Sequence, residues 1–464
     1  MASSLSTIIL AAGQGTRMYS RLPKVLHVVG DRPMLAHVVD TVSALGPAGI
    51  HIVHGHGAEV VRTTLDSHHG ERRPALDWCH QEEQLGTAHA VDQAMPHVAD
   101  DHIVLILYGD VPLITTETLE RLVVAAEGSA IAALTAHMDD PSGYGRILRD
   151  DGGHINAIVE ERDASATERA IHEINTGVMA ARAGDLRRWL ASVDADNAQG
   201  EYYLTDCIAL AVADGFHPAA VVTRDHREAT GVNNRVQLAE VEAIWRERQA
   251  EALMLAGVTV RDPRRLDIRG RVEAARDVEL DVGVVIEGHV VLGEGARVGA
   301  YCVLRNCTLG PGTVVESHTV IDGAQLAGDA NVGPFARLRP GTELAAGSKV
   351  GNFVEVKASR IGPGSKVNHL AYVGDTVMGA EVNVGAGTIT CNYDGARKHT
   401  TTIGDRVFIG SDCQLVAPVR IGDDATIGAG TTLTRDAPAG ELTLSRTKAR
   451  SLSGWQRPSK DKGE

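Results

Sequence analysis

The chain has 464 residues, 43% of them hydrophobic, with 60 acidic side chains against 45 lysines and arginines and a formal net charge of −15. That length exceeds one compact core, so two or more domains are expected. The acidic balance excludes a broad nucleic-acid-binding surface but leaves room for a local basic pocket. The 50 glycines beside 3% aromatics point to many tight turns and few bulky core layers. Six cysteines (Cys79, Cys207, Cys302, Cys307, Cys391 and Cys413) form no C-x-x-C pair, so reduced, mostly buried thiols are expected rather than a zinc or redox site. The first apolar run is short and has no basic segment ahead of it. No run of ~18 apolar residues follows, so neither a signal peptide nor a membrane span is expected, and the chain is assigned to the cytoplasm.

Ser6–Ala12 reads as a short apolar strand that runs into glycines. The string Leu10-Ala-Ala-Gly13-Gln-Gly15-Thr16-Arg17-Met18 continues it, and Pro23-Lys24 comes soon after. Its glycines let backbone N–H groups approach a phosphate, and Arg17 and Lys24 supply positive charge. It is neither a dinucleotide fingerprint, since Met18 stands where a third glycine is needed, nor a Walker A motif. Ile50–Gly55 and Asp101–Tyr108 read as further strands, and Met34–Leu45 and Thr116–Ala126 as helices. The alternation predicts an α/β domain with a mainly parallel sheet over residues 1–234, whose ligands gather at the carboxyl ends of strands. Asp110 lies just past such an end.

Residues 235–257 predict one long connecting helix. Val236, Val241, Ile244 and Trp245 can share a face, and Gly257 can close the C-terminus. Over 258–464 the period changes. Aliphatic residues recur every six positions at Leu280, Ile286, Leu292, Val298 and Leu304. After a five-residue step they recur at Leu309, Val315 and Ile321, and then from Leu326 through Val356. A last run goes from Ile403 through Leu433. Such a period signals a hexapeptide β-helix, with three hexads closing one triangular coil of about 18 residues; an ordinary β-sandwich would match it only by coincidence. Thr390–Thr400 is too polar for a coil side and is expected to leave the helix as a loop, a good place for function.

The phosphate-loop string resembles the signature of sugar-nucleotide pyrophosphorylases. Other strings resemble the N-acetylglucosamine-1-phosphate uridyltransferase branch: Gln81-Glu-Glu-Gln84-Leu-Gly86-Thr87, Tyr108-Gly109-Asp110-Val-Pro112, Gly143-Tyr-Gly145-Arg146, Glu173-Ile-Asn175-Thr-Gly177, Asn197 through Asp206, and Gly231-Val-Asn233-Asn234. The resemblance implies a Rossmann-like nucleotidyltransferase domain in which Leu10, Gly13, Arg17, Lys24, Tyr108 and Gly109 line the UDP-sugar site. Gln81, Gln84, Gly86 and Thr87 would hold uracil, and Gly145, Glu160, Asn175, Tyr203 and Thr205 the sugar. Attack of a sugar 1-phosphate on UTP brings two anions together, so neutralisation and in-line positioning dominate. Asp110 and Asn233 are therefore assigned to Mg²⁺, which favours few protein oxygens plus phosphates and waters. Gln14 stands where many relatives carry lysine and is expected to matter little.

The second half carries Arg337-Leu-Arg339, Asn352-Phe-Val-Glu355-Val-Lys357, Asn368-His369-Leu-Ala-Tyr372, Asn383-Val-Gly-Ala386-Gly387, Asn392-Tyr393-Asp394 and Lys398. These resemble the glucosamine-1-phosphate acetyltransferase half of the same bifunctional family, a left-handed parallel β-helix, and the likeness reaches Ser445-Arg446 and Gly454-Trp455. An amine attacking a thioester must lose a proton, and a neutral imidazole suits that task; His369 is the expected general base. A backbone N–H near Ala386 would face the oxyanion. Arg339, Lys357 and Lys398 would bind the sugar phosphate, with Tyr372, Asn383, Asn392 and Tyr393 around the acceptor. Ala386, Ser411, Ala429 and Arg446 are expected to contact acetyl-CoA. The family also implies a homotrimer, with UTP, glucosamine 1-phosphate and N-acetylglucosamine 1-phosphate as the other small-molecule partners.

Three rival readings remain at this point: a monofunctional nucleotidyltransferase with a purely oligomerising β-helix, a carbonic-anhydrase-like metallohydrolase, and a non-enzymatic solenoid. The set His369, Tyr372, Asn383 and Lys398 argues against the first. The lack of a paired histidine motif argues against the second, and the phosphate loop against the third. The polar tail Arg457–Glu464 is expected to be disordered and is assigned no role.

Overall fold

The computed structural model describes residues 4–13, 15–55, 57–69, 75–446 and 449–457. Gln14 and residues 458–464 of the polar tail lie outside the described residues. Two compact units are formed, 1–245 and 246–464. The division falls inside the helix Arg235–Leu255, which has Val241 buried in a cluster with Met18, Met34 and Val232, and Ala250 in one with Val258 and Leu266.

The first unit is built on a nine-stranded sheet. Across it run Ala219–Val222, Ile131–His137, Glu173–Arg182, Ile103–Tyr108, Leu5–Leu10, Gly49–His54 and Leu76–His80. All neighbours are parallel except Glu173–Arg182, which runs antiparallel between two of the others and carries the hairpin Arg146–Arg149/Ile155–Val159 on its edge. The expected mainly parallel sheet thus carries one antiparallel strand with its hairpin. The central strands are apolar on both faces: Ile8, Val104 and Ile106 pack to one side, Ile9, Leu105 and Leu107 to the other, as a sheet covered by helices on both faces requires. Helix Thr116–Ser129 starts where Thr115 accepts a hydrogen bond from the Thr118 N–H at 3.3 Å.

The second unit is a parallel β-helix. Its strands are mostly two to four residues long and join one 11-stranded and one 17-stranded sheet. Every ladder is parallel, and partners are one coil apart: Val285 opposite Val303, Val303 opposite Val320, Arg337 opposite Glu355. The five-residue steps in the sequence mark the coils shortened from 18 to 17 residues, as at Leu309 and Leu326. Each aliphatic residue of the six-residue repeat, from Leu280 to Leu433, is buried in one continuous core. Burial of each contributes on the order of 1.5–3 kcal/mol, which is what pays for so few long strands. Ile389 pairs with Tyr372 below it across 17 residues and with Gln414 above it across 25. The extra residues are the polar excursion, where Tyr393 and Lys398 make an antiparallel bridge. Five cysteines are buried, and burial pushes the Cys207 and Cys307 thiols up to about 12.

Candidate functional site

In the first unit the carboxyl ends of the central strands open into three adjoining cavities. The first, of about 310 Å³, is lined by Leu10, Gly13, Lys24, Gln81, Gln84, Gly86, Thr87, Tyr108 and Asp110. The second, of about 200 Å³, adds Glu160, Asn175, Tyr203 and Thr205. The third, of about 450 Å³, brings Arg17, Gly145 and Asn233 to Lys24 and Asp110. Every residue expected at the nucleotide end lines one of them except Gly109, which lies beneath, against Val25 and Leu35.

Local structure explains this convergence. Gly15 has φ +62°, and a Cβ there would meet the Lys24 Cβ at 2.6 Å, so the loop and the lysine can close together only around glycine. Gly86, at φ +127°, similarly lies against the Tyr202 backbone. Hydrogen bonds from Ala88 N–H to Tyr202 O at 2.9 Å and from Leu204 N–H to Thr87 Oγ1 at 2.9 Å then join the first and second cavities. The bulge between Asn175 and Met179 turns the strand at the second cavity, and the Asn175 Oδ1 accepts from Gly177 N–H at 3.0 Å.

Asp110 and Asn233 are 123 positions apart, yet Val232 N–H bonds to Asp110 O at 3.0 Å. The segment before Asn233 is fixed by the buried Glu228, which accepts from Thr115 Oγ1 and Thr118 Oγ1, each at 2.8 Å, and from Thr223 Oγ1. Gln237 Oε1 takes the Asn233 N–H at 2.8 Å. The Lys24 ammonium donates to Asp110 Oδ2 and, at 3.2 Å, to Asn233 Oδ1, which also receives Arg17 at 3.1 Å. One cation therefore already sits on both oxygens, so the pair can serve a single metal ion. Sequence reasoning passed over Gln199 and Glu201, which line the cleft, although the string Asn197–Asp206 contained them. It also missed Glu228, for which no local signal existed.

Burial raises the Glu160 carboxyl above the usual range, against the opposing hydrogen bond from Thr205 at 3.3 Å. A carboxyl raised on folding favours the folded state fully below its ordinary value, and that advantage is lost as pH rises through the raised one. Glu160→Gln is thus expected to raise the melting temperature of the ligand-free protein at pH 7.5, with the gain vanishing toward pH 4. The same change should raise KM for the sugar phosphate roughly 10- to 100-fold. Calorimetry across pH checks this, and a variant less stable than wild type at pH 7.5 would refute it.

In the β-helix, most of the residues expected at the acetyl end fall on two lines. Asn352, His369, Ala386, Ser411 and Ala429 each precede a corner residue in left-handed conformation: Phe353, Leu370, Gly387, Asp412 and Gly430. They stack coil on coil, with backbone bonds from Leu370 N–H to Asn352 O, Gly387 N–H to His369 O, Asp412 N–H to Ala386 O and Gly430 N–H to Ser411 O. Arg446 Nε reaches Ala429 O at 3.0 Å. The Ala386 N–H has no hydrogen-bond partner among the described residues. His369 is exposed, and its Nδ1 lies 2.7 Å from Asn352 Oδ1.

The second line is cationic. The Lys357 ammonium holds the Lys398 amine below its ordinary range, with Asp375 and Tyr372 close by. The Asn392 amide donates to Asp375, and Arg339 Nη1 to Glu355 Oε1 at 2.9 Å. Tyr393 stands in the excursion, its hydroxyl on Gly395 O at 2.5 Å. Two adjacent ammonium groups on the surface suit a dianionic phosphate. Asn383 does not join this group: its strand belongs to the 11-stranded sheet, whereas Lys357 and Tyr372 belong to the 17-stranded one.

Residues 7–171 match the model of the MobA-like NTP transferase domain, and residues 400–435 match the bacterial transferase hexapeptide repeat. The chain is 57% identical over 466 aligned residues to the bifunctional protein GlmU of Alkalilimnicola ehrlichii, with 100% of this chain and 99% of the relative covered. The chain belongs to the bifunctional GlmU family. A GlmU chain is an enzyme with two transferase modules, and in this one the cleft and the coil edge each bring the expected reactive side chains together.

Proposed function

We propose that the chain makes UDP-N-acetylglucosamine in two steps at these two places. On the β-helix, acetyl-CoA acylates the amine of glucosamine 1-phosphate; in the cleft, the N-acetylglucosamine 1-phosphate so formed attacks UTP and releases pyrophosphate. The observation that carries the reading is the meeting of Arg17, Lys24, Asp110 and Asn233 in one cleft, while a separate corner line in the same chain presents His369 and the Ala386 N–H.

In the cleft, Gln81, Gln84, Gly86 and Thr87 hold uracil, and Gly145, Glu160, Asn175, Tyr203 and Thr205 hold the sugar. Arg17 and Lys24 draw the phosphates in. Asp110 and Asn233 would hold Mg²⁺, which would supply positive charge to neutralise the phosphates. On the coil edge, Nε2 of His369 takes the amine proton as the nitrogen attacks the thioester carbonyl. The Ala386 N–H donates to the oxyanion, and the CoA thiolate leaves. Lys357, Lys398 and Arg339 anchor the acceptor phosphate, with Tyr372, Asn392 and Tyr393 around the sugar, while Ser411, Ala429 and Arg446 hold the CoA. A coupled assay with UTP, acetyl-CoA and glucosamine 1-phosphate, its product identified by mass, tests the whole reading; absence of UDP-N-acetylglucosamine would reject it.

The acetyl site is completed by a neighbouring copy in a trimer. The placement of Asn383 and Lys357 in different sheets supports this, because prisms set side by side can bring one chain's face to another's. No described helix is long and apolar enough to cross a membrane, and we place the enzyme in the cytoplasm with its substrates. Light scattering should give three times the chain mass for the full protein and a smaller assembly for a fragment ending near residue 235. A monomeric full-length protein would overturn the trimer.

A further inference from the structure

We propose that Asn352 is the positioning residue that sets the tautomer of His369, so that Nδ1 carries the proton and Nε2 is free to act. The inference rests on the reading of His369 as the base and adds a residue to it. Asn352 and His369 are ladder partners on successive coils. Each is followed by a residue in left-handed conformation, Phe353 at φ 55° and Leu370 at φ 49°, so both side chains leave the same corner. The corner is held from below by the stack of Phe353 on Phe335 at 5.3 Å, and across the coils by the Leu370 N–H to Asn352 O bond at 3.1 Å. Between two such fixed points, the 2.7 Å contact from His369 Nδ1 to Asn352 Oδ1 is set by the backbone rather than by rotamer chance.

An amide oxygen only accepts, so its partner nitrogen must carry the hydrogen. In a neutral imidazole that leaves the lone pair on Nε2, the atom a general base needs, and it fixes the ring plane. The same amide turned over would donate to Nδ1, place the proton on Nε2 and leave the ring unable to accept one there. Which way the amide faces therefore decides whether the histidine can work.

Three measurements on the full-length protein test this. Asn352→Leu, close in size but without an acceptor, should lower kcat for acetyl transfer roughly 10- to 100-fold, the usual cost of losing an outer-shell partner. KM for both substrates should stay within about twofold, and uridylyl transfer should be unchanged. Asn352→Asp, which can accept but not donate, should recover most of the lost rate. In ¹⁵N-histidine spectra the wild-type His369 should show the Nδ1–H tautomer. A wild-type kcat in Asn352→Leu, an Asn352→Asp variant as slow as Asn352→Leu, or an Nε2–H tautomer in the wild type would each overturn the proposal. The spectrum and the Asp variant decide the matter even if the Leu variant does not fold. An active His369→Ala would instead reject His369 as the base, whereas an inactive one beside a fully active Asn352→Leu would reject only the role of Asn352.

Discussion

Asp110→Ala is expected to lower uridylyl transfer by on the order of 10²–10³-fold or more while acetyl transfer continues at the wild-type rate. Both nucleotide-site substrates are anionic, so the attack needs positive charge placed where the phosphates meet. Asp110 supplies the carboxylate of the oxygen pair that Lys24 now bridges. Without it the neutral amide oxygen of Asn233 is the remaining ligand, and a hard divalent cation gains little from one neutral oxygen. Arg17 and Lys24 stay in place, so nucleotide binding should weaken far less than turnover. Manganese binding followed by electron paramagnetic resonance, in the presence of UTP, should show the same loss independently of activity. Near-wild-type UDP-sugar formation at ordinary Mg²⁺ would remove Asp110 from the site.

His369→Ala should give the mirror image, a drop of roughly 10²–10⁴ in acetyl transfer with uridylylation of supplied N-acetylglucosamine 1-phosphate intact. The two chemistries share no residue: one depends on neutralising phosphates, the other on a base and an N–H donor. The cleft lies within residues 1–245 and the corner line within 246–464. Mixing the two inactive variants should therefore restore the full path from glucosamine 1-phosphate, because the acetylated intermediate can diffuse from one molecule to another. A mixture that makes no final product, while each variant keeps its own half-reaction, would mean that the intermediate is handed over without release.

What the sequence disclosed depended on periodicity. The six-residue repeat placed Leu280, Ile321, Val356 and Leu433 inside the prism, because each coil side turns its large aliphatic residue inward once per hexad and that residue is buried. The antiparallel course of Glu173–Arg182 was not legible, since a buried strand reads the same in either direction. Most cleft residues were found through their strings, but the bond of Val232 to Asp110 and the setting of Glu228 among Thr115, Thr118 and Thr223 join distant segments and leave no local trace. Tyr372 and Asn383 stood together in the sequence reading. They lie in different sheets because their separation of 11 is not one coil, a relation that becomes visible only when the 17- or 18-residue register is known.

The single file of Asn352, His369, Ala386, Ser411 and Ala429 makes the corner a graduated scale. One coil advances about 4.8 Å, so the three coils from His369 to Ala429 mark off roughly 14 Å. Under the proposed function, an extended donor lying along that edge would be measured in whole graduations, its thioester set against the base by where its far end is gripped. Deleting one complete coil between Leu370 and Ser411 would leave the apolar stack continuous yet slide the grip by one mark relative to His369. The excursion before Thr401 lengthens the chain at a different corner and leaves the scale unchanged, with Ser411 still in line above Ala386. A solenoid can therefore acquire a loop for chemistry at one corner without recalibrating the distance it keeps at another.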